Sequence, residues 1–247
     1  MSARESAASS VSVLPDYLTQ SAYDVRFEWG ELGLRALAQE ARRFVIVDVL
    51  RFTTCVSVAC ARGAAVLPFL WKDARVAAYA AEHRAENGER YRLSPAALAE
   101  LAPGARLVLP SPNGSALSFE AAARGEVLAG CLRNAGAVAA RADAAEGPIA
   151  VIAAGERWPD GSLRPALEDL LGAGAVIARL AGRLSPEAAQ AREAFERAAR
   201  DLEGALRACA SGRELETKGH GRDLPFAAAL DADRVAPVLR DAAYTAA

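Results

Sequence analysis

Histidine occurs only at His83 and His220 in the 247 residues, so a His-rich zinc site has no material to form from. Both sit in strongly polar surroundings and read as surface side chains. The four cysteines, Cys55, Cys60, Cys131 and Cys209, form no CxxC pair. They read as reduced thiols of a cytoplasmic protein, not as a disulfide or zinc framework. There is no GxxxxGK[ST] loop and no G-x-S-x-G elbow, which excludes a P-loop nucleotide site and an α/β-hydrolase serine. No cysteine has an arginine at the spacing of cysteine phosphatases. Asp48 is followed two residues on by Leu50, not by the second aspartate of an aspartyl-phosphate site. No apolar run is long enough to span a bilayer, and the N-terminus lacks a charged-then-apolar signal pattern. Lysine is confined to Lys72 and Lys218, and the formal net charge is −2. Neither nucleic acid nor a membrane surface is an expected partner.

What is present is apolar and patterned. Apolar residues make up 52% of the chain, the composition of a globular protein, and much of that is helix-favouring alanine. No internal repeat or low-complexity linker divides it. The expectation is a loose leader over residues 1–14 and one domain over 15–247. Short continuous apolar runs at 43–49, 64–70, 106–110, 126–131 and 148–154, with one near 23–28, suit strands buried on both faces. Helical patterns alternate with them at 31–41, 53–62, 73–87, 95–101, 115–124, 134–145 and 165–182. Thr53, Ser94-Pro95, Ser115 and Asn134 supply start signals. A long amphipathic helix is expected from Ser185 to Cys209, stopping at Ser211-Gly212, and two short helices near 223–230 and 233–239. The alternation implies an α/β fold: a three-layer α/β/α sandwich with a mostly parallel, mixed sheet.

Polar clusters stand where the apolar strands end. Phe44-Val45-Ile46-Val47 runs into Asp48 and Arg51, and Leu107-Val108-Leu109 into Ser111-Pro112-Asn113-Gly114-Ser115. Leu128-Ala129-Gly130 runs into Arg133-Asn134, and Ala150-Val151-Ile152 into Glu156-Arg157. Ligands of open α/β sheets bind beyond the carboxyl ends of strands, so these loops read as one site for a small anion with a divalent metal. Asp48 is a metal ligand or catalytic group, or else the cap of the following helix. Arg51 suits a phosphate oxygen, or an ion pair with Asp48. The Asn113-Gly114 pair favours positive φ and can turn backbone N–H groups toward an anion. Asn134 either orients a substrate or caps its helix. Glu156 is a site group or a solvated loop charge. Glu168-Asp169, at the mouth of a small-residue apolar helix, are good hard-metal ligands, with helix-dipole pairing as the plainer alternative.

Taken together, several segments resemble the 2-phosphosulfolactate phosphatase family. They are Val47-Asp48-Val49-Leu50-Arg51-Phe52-Thr53-Thr54, Ser111-Pro112-Asn113-Gly114-Ser115 and Ala129-Gly130-Cys131-Leu132-Arg133-Asn134-Ala135. Ala153-Ala154-Gly155-Glu156, Glu168-Asp169-Leu170-Leu171-Gly172-Ala173-Gly174 and Ser211-Gly212-Arg213-Glu214-Leu215 belong with them. The resemblance implies an α/β, Mg²⁺-dependent phosphatase that cleaves 2-phospho-3-sulfolactate to 3-sulfolactate and phosphate, a step toward coenzyme M. In that reading Asp48, Glu168 and Asp169 hold Mg²⁺, and Asp48, Arg51 and Arg133 carry catalysis. Ser111, Asn113, Gly114, Asn134 and Glu156 bind the anionic phosphoester. A homo-oligomer is compatible with it. The alternatives are a phosphatase for another small phosphorylated acid, or a non-catalytic binder of a phosphorylated or sulfonated metabolite.

Overall fold

A computed structural model describes residues 14–247. Apart from Leu14, the expected leader lies outside the described residues. The first half of the chain contains α1 (Asp16–Thr19), β1 (Val25–Trp29), α2 (Gly30–Leu37), β2 (Arg43–Val47), α3 (Phe52–Ala61) and β3 (Ala65–Phe69). It continues through α4 (Arg75–Glu82), β4 (Glu86–Asn87), α5 (Pro95–Leu98), β5 (Arg106–Pro110), α6 (Pro112–Ala122) and β6 (Glu126–Gly130). Next come α7 (Ala135–Asp143), β7 (Ile149–Ala153), β8 (Glu156–Arg157), β9 (Leu163–Arg164) and α8 (Leu167–Ile177). The last part holds α9 (Pro186–Ala198), α10 (Leu202–Ala208), α11 (Ala210–Thr217), α12 (Asp223–Ala228), β10 (Pro237–Arg240) and β11 (Ala243–Ala246).

The main sheet has nine strands among the described residues, in the order β1-β7-β2-β6-β10-β11-β3-β5-β4. Strands β1, β7, β2 and β6 pair in parallel, as do β3, β5 and β4. The β10–β11 hairpin joins the two groups by antiparallel pairing. Central strands are buried on both faces, which is why they read as continuous apolar runs. In β2, Val45 and Val47 enter one core while Phe44 and Ile46 enter the other. The first core is closed by α7, α8, α9, α10 and α12, the second by α2, α3, α5 and α6. The result is a single three-layer α/β/α domain.

Three local expectations change. The helix expected over 185–209 is broken, because the Asp201 carboxylate accepts the Gly204 N–H at 2.8 Å and starts α10 afresh. Ser211-Gly212 then lies inside α11, not at a stop. A Cβ on Gly212 would stand 1.7 Å from the Leu206 carbonyl oxygen, so close approach of α10 and α11 demands the glycine. The helical pattern at 233–239 becomes β10. Its apolar residues Val235, Val238 and Leu239 fit helical spacing, yet in the strand Val238 and Leu239 face opposite cores. The helix expected over 73–87 ends at Glu82, and Glu86–Asn87 instead pair with β5.

Candidate active site

Asp48 follows the last residue of β2 and is buried. Its Oδ1 accepts the Phe52 N–H at 3.1 Å, and its Oδ2 accepts Gly114 N–H at 3.1 Å and Ser111 Oγ–H at 3.3 Å. Phe52 opens α3 and Gly114 lies in the first turn of α6. Two helix N-termini therefore aim backbone donors at one carboxylate, a favourable placement for negative charge. Asp48 thus satisfies the first amide of the helix after it, close to the capping role one sequence reading allowed, although Arg51 holds the N-cap position. The turn around it is fixed by hydroxyls: Thr53 Oγ1 donates to the Asp48 carbonyl at 2.8 Å and Thr54 Oγ1 to the Val49 carbonyl at 2.7 Å.

The Ser111–Ser115 segment differs from the expected tight turn. Pro112 begins α6 directly, and neither Asn113 nor Gly114 takes positive φ. The glycine answers to packing instead. A Cβ there would stand 2.3 Å from Phe52 Cδ1 and 2.8 Å from Asp48 Oδ2.

Asp169, in the first turn of α8, ties two loops together. Its Oδ1 accepts the Val49 N–H at 2.7 Å and its Oδ2 the Gly155 N–H at 2.9 Å. These amides follow β2 and β7, so one carboxylate sets the spacing of the strand ends. Glu168 beside it is buried, and its Oε2 has no hydrogen-bond partner. Glu156, just beyond β7, accepts Asn113 Nδ2–H at 3.3 Å; the same amide reaches the Gly155 carbonyl at 3.3 Å.

Burial and mutual repulsion act on this group. Burial, with the charge of Glu168, raises the Asp48 carboxyl above its ordinary value. Burial, then Asp48 and Glu168, hold Asp169 well above it. Burial, then the same two neighbours, push Glu156 up to about 7. Burial and the Glu168 charge raise the Cys209 thiol to about 12. The other three cysteines are free and buried as well.

Asp48, Ser111, Asn113, Gly114, Glu156, Glu168 and Asp169 thus meet in one place, at the ends of β2, β5 and β7 and the start of α8. The remaining expected residues are engaged nearby. Arg51 pairs not with Asp48 but with Asp223 at 2.5 Å, and donates to the Arg92 carbonyl at 3.2 Å. Arg133 pairs with Asp233 at 2.7 Å and also reaches the Phe226 carbonyl. Asn134 is fully buried; its Oδ1 accepts the Cys131 N–H at 2.9 Å and its Nδ2 donates to the Ala129 carbonyl at 3.1 Å. Asp223 and Asp233 were not singled out from sequence. Each stands in a C-terminal stretch whose pairing with residues far back in the chain leaves no local signal.

Whether the cluster suits a hard cation depends on its donors. Among the described residues no three His, Cys, Asp or Glu side chains converge closely enough to form a closed cage. The Glu168 Oε2 nevertheless has no partner, and the raised Asp48 and Asp169 carboxyls have backbone and hydroxyl donors, not cations, opposing their shifts. That combination fits an ion held by one or two carboxylates and otherwise by water, the usual manner of Mg²⁺.

In a mostly parallel α/β sandwich, groups collected beyond the carboxyl ends of the strands stand where such folds bind small ligands. The chain belongs to the 2-phosphosulpholactate phosphatase family, whose model matches residues 34–242. It is accordingly a phosphatase acting on a phosphomonoester. No curated protein matches the chain significantly. No helix among the described residues is long and apolar enough to cross a membrane.

Proposed function

We propose that the chain is a Mg²⁺-dependent phosphatase that hydrolyses 2-phospho-3-sulfolactate to 3-sulfolactate and phosphate in the cytoplasm, on a route toward coenzyme M. Family membership supports the reaction class. The observation that carries the cation is the unpartnered Glu168 Oε2 beside the raised Asp48 and Asp169 carboxyls. Asp48, with Glu168 and Asp169 partly through water, would hold Mg²⁺. Bound there, the ion would supply Lewis acidity toward a phosphoryl oxygen and would favour ionisation of water.

The chain's own groups do the rest. Asp169 fixes the loops after β2 and β7, so that Asp48 and Glu156 stay in register. Arg51, held by Asp223 and the Arg92 carbonyl, brings positive charge to the substrate, where it opposes charge that grows in the transition state. Arg133 adds its charge from within the pair with Asp233. Ser111 and Gly114 keep Asp48 in place, Asn113 holds Glu156, and Asn134 braces the loop after β6. Glu156, with its carboxyl near 7, is able to carry a proton at neutral pH.

The test is phosphate release from racemic 2-phospho-3-sulfolactate, 2-phospholactate and phosphoglycolate, with Mg²⁺ and with EDTA. Mg²⁺-dependent release that prefers the sulfonate is expected. Release from the other esters alone would remove the coenzyme M role. No release from any of them would point to a binding protein instead.

A further inference from the structure

A second feature adjoins the acidic cluster and has the opposite charge. A cavity of about 330 Å³ is lined by Arg51, Lys72, Glu89, Arg92, Leu93 and Pro110, among others. It shares its walls with the site: Arg51 is three residues past Asp48, and Pro110 precedes Ser111, whose hydroxyl bonds Asp48. Three cations face one carboxylate, and that of Glu89 already accepts the Asn87 amide at 3.1 Å. Lys72 and Arg92 have no ion-pair partner among the described residues, whereas Arg51 is anchored to Asp223.

The wall is also built at some cost. Arg92 and Leu93 are consecutive non-glycine residues at φ 47° and 54°, a left-handed conformation that folding must offset. The Arg92 N–H to the Glu89 carbonyl, at 2.9 Å, and Arg51 on the Arg92 carbonyl hold them there. Leu93 and Pro110 add an apolar face suited to a short carbon skeleton.

Resting on the phosphatase reading above, we propose that this cavity takes the sulfonate, and not the carboxylate, of the substrate's two acid groups that are not transferred. Lys72 and Arg92 are then specificity residues selecting small phosphomonoesters that carry a sulfonate. A sulfonate is permanently ionised and accepts hydrogen bonds without donating any. It therefore suits a pocket of cationic donors whose lone carboxylate is engaged elsewhere.

Steady-state kinetics of Lys72→Met and Arg92→Met on 2-phospho-3-sulfolactate and 2-phospholactate test this. Each substitution is expected to raise the ratio of the two KM values about tenfold, or about 1.4 kcal/mol, through the sulfonate ester. An equal loss on both esters, a fall confined to kcat, or an unchanged ratio would overturn the assignment. Calorimetric titration of wild type and both variants with 3-sulfolactate reads the cavity without turnover. Binding weakened about tenfold in the variants upholds it, even if wild type proves to release no phosphate and the phosphatase reading fails. Equal binding by all three, or none by wild type, counts against the cavity even where turnover is robust.

Discussion

Arg133 and Asp233 form a two-pronged ion pair, Nε to Oδ2 at 2.7 Å and Nη2 to Oδ1 at 2.8 Å. Ser57 Oγ, in α3, donates to the same carboxylate at 2.7 Å. The pair thereby fastens the loop after β6 to α3 and to the segment before β10. Both side chains are nearly closed to solvent, at 12% and 8% exposure. Removing one partner leaves a buried charge unmatched, which typically costs about 3–5 kcal/mol. Asp233→Ala should lower stability by that order in urea unfolding, and Asp233→Ala with Arg133→Met should recover part of the loss. A single variant with wild-type stability would show the pair to be solvated in solution.

Neighbouring acids in α8 should respond differently to loss of charge. Each Asp169 oxygen accepts a backbone N–H, from Val49 and Gly155. In Asp169→Asn one of those donors must face an NH₂ group, at a cost of about 1–3 kcal/mol. Glu168 Oε2 has no donor to lose. Glu168→Gln removes a charge from a repulsive cluster and should leave the metal-free protein at least as stable as wild type. Urea unfolding of both variants in EDTA separates them, and an equally stable Asp169→Asn would contradict the geometry.

Gly114 is where packing meets the site. A methyl group there collides with Phe52 and presses on Asp48 Oδ2. Overpacking of this kind costs about 1–3 kcal/mol. Because the relief is displacement of Asp48, Gly114→Ala should also reduce kcat by about tenfold or more, equivalent to at least ~1.4 kcal/mol in the barrier. Retention of wild-type kcat in a folded variant would detach Asp48 from turnover.

Much of this site was legible in sequence because it is local. An apolar run ending in Asp48, or a Ser-Pro opening after β5, shows which loops share an end of the sheet. Glu168-Asp169 stood out for the apolar, small-residue helix behind them. What escaped depends on contacts distant in the chain. Asp223 and Asp233 matter because they meet Arg51 and Arg133, 172 and 100 residues away. The break between α9 and α10 turned on the Asp201 side chain capping a new helix, within a charged pattern that reads as continuous. The β10 strand was hidden because Val235, Val238 and Leu239 fit helical spacing, while Val238 and Leu239 side by side suit a strand only where both of its faces are buried. Pro237, which precedes Val238 and Leu239, decides little by itself.

The raised carboxyls connect pH, stability and the proposed cation. In the metal-free protein Glu156 moves from an ordinary 4.5 to about 7, raised by burial, Asp48, Glu168 and Glu214 and opposed by Arg164. Asp48 and Asp169 shift in the same direction. The folded state therefore keeps protons that the unfolded chain has already released. Stability is fullest below the unfolded values and falls as pH rises through the folded ones. Without metal, the melting temperature should be higher at pH 5 than at pH 8, and Glu156→Gln should flatten that slope. A cation binds the ionised carboxylates and must displace these protons, so its effect grows with pH. Mg²⁺ at a hundredfold excess over its Kd would add about 2.7 kcal/mol, or about 5–10 °C for a chain of this size. That gain should be large at pH 8, small at pH 5, and lost in Glu168→Gln. A Mg²⁺ shift independent of pH, or one that survives in Glu168→Gln, would place the ion away from these carboxylates.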